Sequence, residues 1–269
     1  MGRIFFCCLV GWLAWPAWAA GGVISLQTST TCTLIGDGVR VEITVINAGN
    51  EAAVNLRISA SVRDIHRASP VRAKLEPGKS YSAPLWIHPA LVRPGAYPVK
   101  VLVEFHDRRG HPFSAVSHGS FIFREGADSL VFAQGQETVL HRRGRLTLEL
   151  ANTDQAGHQV TVTLITPNEF RVRSPEQVIR LKALGNERLA FDLDNLTALA
   201  GAAYPVLAFL EYDAGGKHYT SVAETRIRVK RAKNVFQQYR PVLWITGLVL
   251  LLAAVFIQRF RPVRSPEAD

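Results

Sequence analysis

The chain has 269 residues, 48% of them hydrophobic and 20% charged, with a formal net charge of +9. That length holds two ordinary domains, and the composition excludes a disordered chain. The basic residues are spread along the chain rather than gathered in one run; this favours acidic surfaces or lipid as neighbours and argues against a nucleic-acid reader.

The first element is apolar. Met1-Gly2-Arg3 supplies one positive charge, Ile4 to Ala14 an uncharged run, and Ala17-Trp18-Ala19 small residues at the positions a signal peptidase reads. Residues 1–20 are therefore expected to be a secretory signal, cut after Ala19 or Ala20. Cys7 and Cys8 do not form a lipoprotein signal, because Phe5-Phe6 precede them. Removal of the signal leaves Cys32 alone, so the mature chain has no partner for an intramolecular disulfide; its place in an alternating segment predicts burial.

Residues 21–125 and 126–233 read as two copies of one module. Tyr97-Pro98-Val99, followed by Glu104-Phe105, recurs as Tyr204-Pro205-Val206, followed by Glu211-Tyr212. Gly78 matches Gly185, Asn47 matches Asn152, and Val116 matches Val222 at nearly the same offset. The period is that of a β-sandwich domain rather than of a solenoid repeat. Val39, Val41, Ile43 and Val45 alternate with Arg40, Glu42 and Thr44, and Val160, Val162 and Leu164 alternate with Thr161 and Thr163. Period-2 alternation marks strands with one buried face. Turn chemistry separates them at Ala48-Gly49-Asn50, Glu76-Pro77-Gly78, Arg93-Pro94-Gly95, Arg109-Gly110 and Gly215-Gly216. Tyr97 and Tyr204 open the penultimate strand of each copy after a loop, the place of a tyrosine corner whose hydroxyl bonds back to main chain. Asn47 and Asn152 end a strand at a turn, where Asn satisfies nearby backbone. All four are expected to be structural.

The segments Ile43 to Gly49, Leu75 to Ser80 and Pro94 to Val99 resemble bacterial immunoglobulin-like and fibronectin-type-III-like sandwiches. They are similar to the cell-adhesion-related bacterial domain and to the sandwich attached to some glycosidases. The second copy departs from the pattern at Leu184-Gly185 and Gly201-Ala202-Ala203. The resemblance implies an accessory or docking role and transfers no active-site residues.

Towards the C-terminus, Val242 to Ile257 carries no charge, and Tyr239 to Phe260 is long enough for a transmembrane helix, leaving 261–269 as a short cytoplasmic tail. The flank with Arg226, Arg228, Lys230, Arg231, Lys233 and Arg240 is the more basic one, against the positive-inside tendency. A long translocated region moves largely regardless of charge, so the signal decides the orientation. The basic stretch then rests on anionic headgroups or is simply solvated.

Catalytic motifs are missing: the sequence has no nucleophile elbow, phosphate loop, dinucleotide fingerprint, Cys-Xaa-Xaa-Cys or His-Glu-Xaa-Xaa-His. The nearest approach to a metal set is His106, Asp107 and His111 at a predicted hairpin tip, weakened because the second copy keeps only His218 there. Trp86 is the one tryptophan between the two apolar ends, and its strand predicts core packing, which counts against sugar binding. Arg63, Arg67, Arg72, Lys74 and Lys79 form either a patch for an acidic partner or the wet sides of strands and loops.

The expected fold class is thus all-β: two tandem immunoglobulin-like β-sandwiches plus one C-terminal transmembrane helix. The expected function is non-catalytic, without cofactor: a single-pass scaffold of the bacterial inner membrane, its domains in the periplasm or outside, docking envelope or membrane proteins. The alternatives are a chaperone-like assembly factor for envelope subunits and a polysaccharide- or metal-binding module.

Overall fold

A computed structural model describes residues 22–126, 128–230, 239, 244–250 and 252–253. The expected signal 1–20, most of the expected span 239–260 and the tail 261–269 lie outside the described residues. The chain divides into two units, Met1–Ala127 with Gly216–His218, and Asp128–Gly215 with Tyr219–Asp269.

The first module contains β1 (Leu26–Ile35), β2 (Gly38–Asn47), β3 (Ala53–Val62), β4 (Ile65–Ala68), β5 (Arg72–Leu75), β6 (Ser80–Ile87), β7 (Gly95–His106) and β8 (Pro112–Phe123). One sheet has the order β1-β2-β6; in the other β7 lies between β8 and β3, and β4 and β5 both pair with β3. The alternation of β2 decides its packing: Val39, Val41, Ile43 and Val45 are fully buried. They meet Ile58 and Val62 of β3, Leu85 and Ile87 of β6, and Val99, Val101 and Val103 of β7 in one core. Each such side chain is worth roughly 1.5–3 kcal/mol of burial, and among the described residues the only cysteine, Cys32, is unbridged.

The second module repeats this plan with β9 (Val131–Gly135), β10 (Thr138–Leu140), β11 (Arg143–Asn152), β12 (His158–Ile165), β13 (Phe170–Val172), β14 (Glu176–Leu181), β15 (Asn186–Asn195), β16 (Ala203–Ala214) and β17 (Lys217–Val229). Its sheets have the orders β13-β15-β11-β9 and β14-β12-β16-β17, with β10 added beside β17. Leu146, Leu148 and Leu150 of β11 pack on Val160 and Val162 of β12, Phe191 of β15 and Leu210 of β16. On the outer face of β11 and β15 the ladder sets opposite charges against each other. Arg143 faces Asp194, Arg145 faces Asp192 and Glu149 faces Arg188 in register, with N–O separations of 3.1, 2.9 and 2.9 Å.

The copies differ in their first strand. In the first module β1 stays on β2 over its whole length, from Leu26 opposite Asn47 to Ile35 opposite Gly38. In the second, β9 leaves β11 at Gly135, and β10 pairs in parallel with β17, Thr138 to Leu140 beside Ile227 to Val229. The copies also differ in the residues that meet where the first strand passes the last. A Cβ built on Gly135 would stand 2.6 Å from Thr225 Cβ, so the strand crosses there only as glycine. In the first module the sizes are exchanged: Thr30 sits where Gly135 would, against Gly119, whose Cβ would meet Thr30 Cγ2 at 2.8 Å.

Candidate functional site

At the β7–β8 hairpin tip, Asp107 is consumed by the turn. Its Oδ1 accepts the N–H groups of Arg109 (2.8 Å) and His111 (2.9 Å), and its Oδ2 pairs with His111 Nδ1 at 3.0 Å. Burial acts to raise the Asp107 pKa, but the bonds from His111 and Arg109 outweigh it and hold the carboxyl below its ordinary value. His106 sits in the ladder opposite Pro112 and Val54. The structure therefore brings Asp107 and His111 together as a hairpin clasp. Among the described residues no group of three or more His, Cys, Asp or Glu is placed to hold a metal ion.

Tyr97 is buried and donates its hydroxyl to the Arg93 carbonyl at 2.8 Å. Tyr204 makes the matching loop contact with the opposite polarity, accepting the Leu199 N–H at 2.9 Å. Asn47 and Asn152 reach further than their own turns. Asn47 Nδ2 donates to the carbonyls of Glu51 (2.7 Å) and Leu75 (3.1 Å), and its Oδ1 accepts the Gly49 N–H (3.0 Å). Asn152 does the same with Ala156 (2.8 Å), Lys182 (2.8 Å) and Asp154 N–H (3.0 Å). Asn47 thus ties the end of β2 to the end of β5, and Asn152 ties the end of β11 to the loop that precedes β15.

Two expectations need correction. Trp86 is not in the core: it is 45% exposed. Ala83, Leu85 and Ile87 occupy the inward parity of β6, so Trp86 faces out, opposite Arg40 of β2. Cys32 is only half-buried, although burial still pushes its thiol pKa up to about 11. The basic residues Arg67, Arg72 and Lys74 lie along β4 and β5, the outer edge of their sheet, with Arg63 in the preceding turn. Lys74 is paired with Glu76 at 2.5 Å, and the Arg63 and Arg72 guanidinium groups lie 5.7 and 5.9 Å from the Tyr97 and Tyr81 ring centres.

Sequence reasoning missed one cluster. His158, buried at the start of β12, bonds through Nε2 to Asp154 Oδ2 at 2.7 Å. Its ring lies 4.6 Å from that of Tyr212, which stacks on Tyr219 at 4.9 Å, and the Tyr212 hydroxyl accepts the Leu130 N–H. The corresponding places in the first module hold Ala53, Phe105 and Phe113, with the two phenylalanines stacked at 5.8 Å. Aligning the copies residue by residue would have exposed this apolar-to-polar exchange. The bond from His158, with backbone bonds from Ala156 and Gln155, holds the Asp154 pKa below the ordinary carboxylate value. A carboxyl depressed in the folded state stabilises above its unfolded pKa, about 3.9, and loses that contribution as pH falls through the folded value. Acid unfolding of the full chain should accordingly be steep below about pH 4, with a shallower acid limb in Asp154→Asn. Identical limbs, followed by circular dichroism, would remove the dyad from the stability account.

No family model and no curated protein matches the sequence. Among solved structures the chain is similar to part of native alpha-2-macroglobulin of E. coli, at 9% identity over 77% of this chain and 17% of that one, TM-score 0.31. Red sea bream transglutaminase aligns at 12% identity over 78% of this chain and 31% of that one, TM-score 0.29. An MSP-family member of C. elegans aligns at 11% identity over 38% and 98%, TM-score 0.27. The chain spans only a fraction of the first two proteins' length. In each module a sheet of three or four antiparallel strands, β1-β2-β6 or β13-β15-β11-β9, shares one core with a larger sheet, and this arrangement defines the class: a tandem immunoglobulin-like β-sandwich protein.

Proposed function

We propose that this chain is a non-catalytic docking scaffold of the bacterial cell envelope, held at the inner membrane by its C-terminal helix and presenting two sandwiches to partner proteins on the far side. The observation that carries the reading is the helical stretch Trp244–Leu250, uncharged and exposed all round. A helix without a polar face is at home in protein interior or lipid, not in water. Among the described residues no helix is long and apolar enough to cross a membrane; the span rests on the uncharged run 242–257 of the sequence. The polar side chains of Asn47, Asn152, Tyr97, Tyr204, Asp107 and His111 are taken up in holding loops, which supports a role by position rather than by chemistry. Alkaline carbonate extraction tests the tether: the full chain should stay with the membrane, and a chain stopped at residue 239 should be released with both modules still folded. Release of the intact chain would overturn the proposal.

A second reading, glycan binding, gains from the exposure of Trp86, because a sugar ring needs an accessible aromatic face. Retention on a purified polysaccharide in affinity electrophoresis, lost in Trp86→Ala, would favour it; free migration of the wild-type chain through neutral, acidic and amino-sugar polymers would dismiss it.

A further inference from the structure

Resting on the docking reading, we infer that the outer edge of β8, at Ser120–Phe123, is the acceptor for an extended strand of a partner protein, which pairs with it in parallel. The second module shows what belongs there. Matching inward-facing residues of β8 and β17 places Phe121 with Ile227 and Phe123 with Val229. In the second module that stretch is covered by β10. In the first, β1 passes Gly119 and continues on β2, so among the described residues β8 pairs with β7 alone.

Among the described residues the edge presents hydrogen-bonding groups that no neighbouring strand takes up. The Asp107 N–H bonds to the His111 carbonyl at 3.0 Å, which marks that pair as hydrogen-bonded. Such pairs alternate along an antiparallel ladder, so Tyr97 and Phe121 face each other's groups. The N–H and C=O of Ser120 and Ile122 then point away from β7. Pro112, which has no N–H to give, sits at an outward position of the same parity.

Among the described residues nothing blunts this edge at Ser120–Phe123. Proteins guard open strand edges with charges, proline or a covering segment. The opposite edge of the same sheet carries Arg67, Arg72 and Lys74. From Pro112 to Phe123 there is no Lys, Arg, Asp or Glu. Where β17 has Arg226 and Arg228, β8 has Ser120 and Ile122, and Ile122 is exposed. The partner is held chiefly by its main chain. In the second module Leu140 is buried over Gly144, whose Cβ would stand 2.7 Å from Leu140 Cβ. The first module has Val39 at that place, fully buried, and offers less room for an inserted side chain. The acceptor therefore selects an extended, uncharged segment and tolerates varied sequence.

The test uses the full chain in native membranes, with a photo-crosslinking amino acid at Ser120, at the covered counterpart Arg226, and at a scatter of other exposed positions. The inference expects an adduct at Ser120 and none at Arg226, with the partner peptide mapping to one extended run. Ile122→Pro removes one outward N–H and leaves the β7 ladder intact; it should reduce the Ser120 adduct at least tenfold at unchanged melting temperature. If that variant melts early, Ile122→Lys, which adds a guarding charge without altering the backbone, takes its place. No adduct at Ser120 while other positions capture a partner, an adduct insensitive to both variants, or an adduct joining two copies of this chain would each overturn the inference and leave the docking reading standing. No adduct at any position would remove the docking reading itself.

Discussion

Asn47→Ala and Asn152→Ala are each expected to destabilise their own module by about 3 kcal/mol, the largest loss from any single polar side chain of the two sandwiches. Each substitution removes three hydrogen bonds and strands two carbonyls and an N–H at a site where Asn47 is fully buried and Asn152 nearly so. An intramolecular hydrogen bond nets only about 1 kcal/mol, but a buried group left without a partner costs about 1–3 kcal/mol. Asn→Asp separates the two halves of the argument, since a carboxylate keeps the accepted N–H bond and turns an anion on two carbonyls; it should be at least as damaging as Ala. Tyr97→Phe and Tyr204→Phe, which each remove one bond to a loop, should cost nearer 1 kcal/mol. Urea unfolding of the full chain resolves the comparison. Losses at the asparagines no greater than those at the tyrosines would show that the loops find their bonds elsewhere.

Gly135→Thr is expected to cost about 2–3 kcal/mol, the upper part of the range for core overpacking, because the new Cβ would meet Thr225 Cβ, an atom that cannot swing aside. Thr225→Gly alone forfeits the bond from Thr225 Oγ1 to the Gln136 carbonyl at 3.2 Å and loosens a strand, for about 1–2 kcal/mol. Together the two substitutions rebuild the first module's arrangement of Thr30 against Gly119, and the double variant should recover about 1–2 kcal/mol relative to additivity. A strictly additive cycle would mean that something other than this contact governs the crossing.

What could be read from residues alone was whatever repeats with period two or with the module length. The alternation of Val39 to Val45 fixes which face of β2 is buried, and Tyr97 and Tyr204 recur in equivalent places. A strand location alone does not bury Trp86: it stands between the buried Leu85 and Ile87, and a strand cannot bury three successive side chains on one face. Where β9 leaves β11, Gly135 lies against Thr225, ninety residues away in the chain; no local pattern announces that meeting. The His158 cluster escaped for a related reason, since His158, Tyr212 and Tyr219 meet only once β12, β16 and β17 are side by side. The reach of Asn47 to Leu75 is equally non-local, and reading the asparagine as a turn residue captures only its bonds with Gly49 and Glu51.

The facing charges on β11 and β15 have a consequence for a chain that carries two versions of one fold. Exposed ion pairs add little stability, about 0–1 kcal/mol each, yet the order of signs along the strands works as an address. Sliding β15 by two residues in either direction leaves Glu149 and Arg188 without each other. The more dangerous error is exchange, with β11 taking up β6, the first module's counterpart of β15, as tandem repeats do when they misassemble. In that pairing Arg143 would meet His88, Arg145 would meet Trp86 and Glu149 would meet Ser82, and every attraction of the ladder would be forfeited. A face that contributes little to holding the second module together would thus favour the correct strand partner over the first module's counterpart.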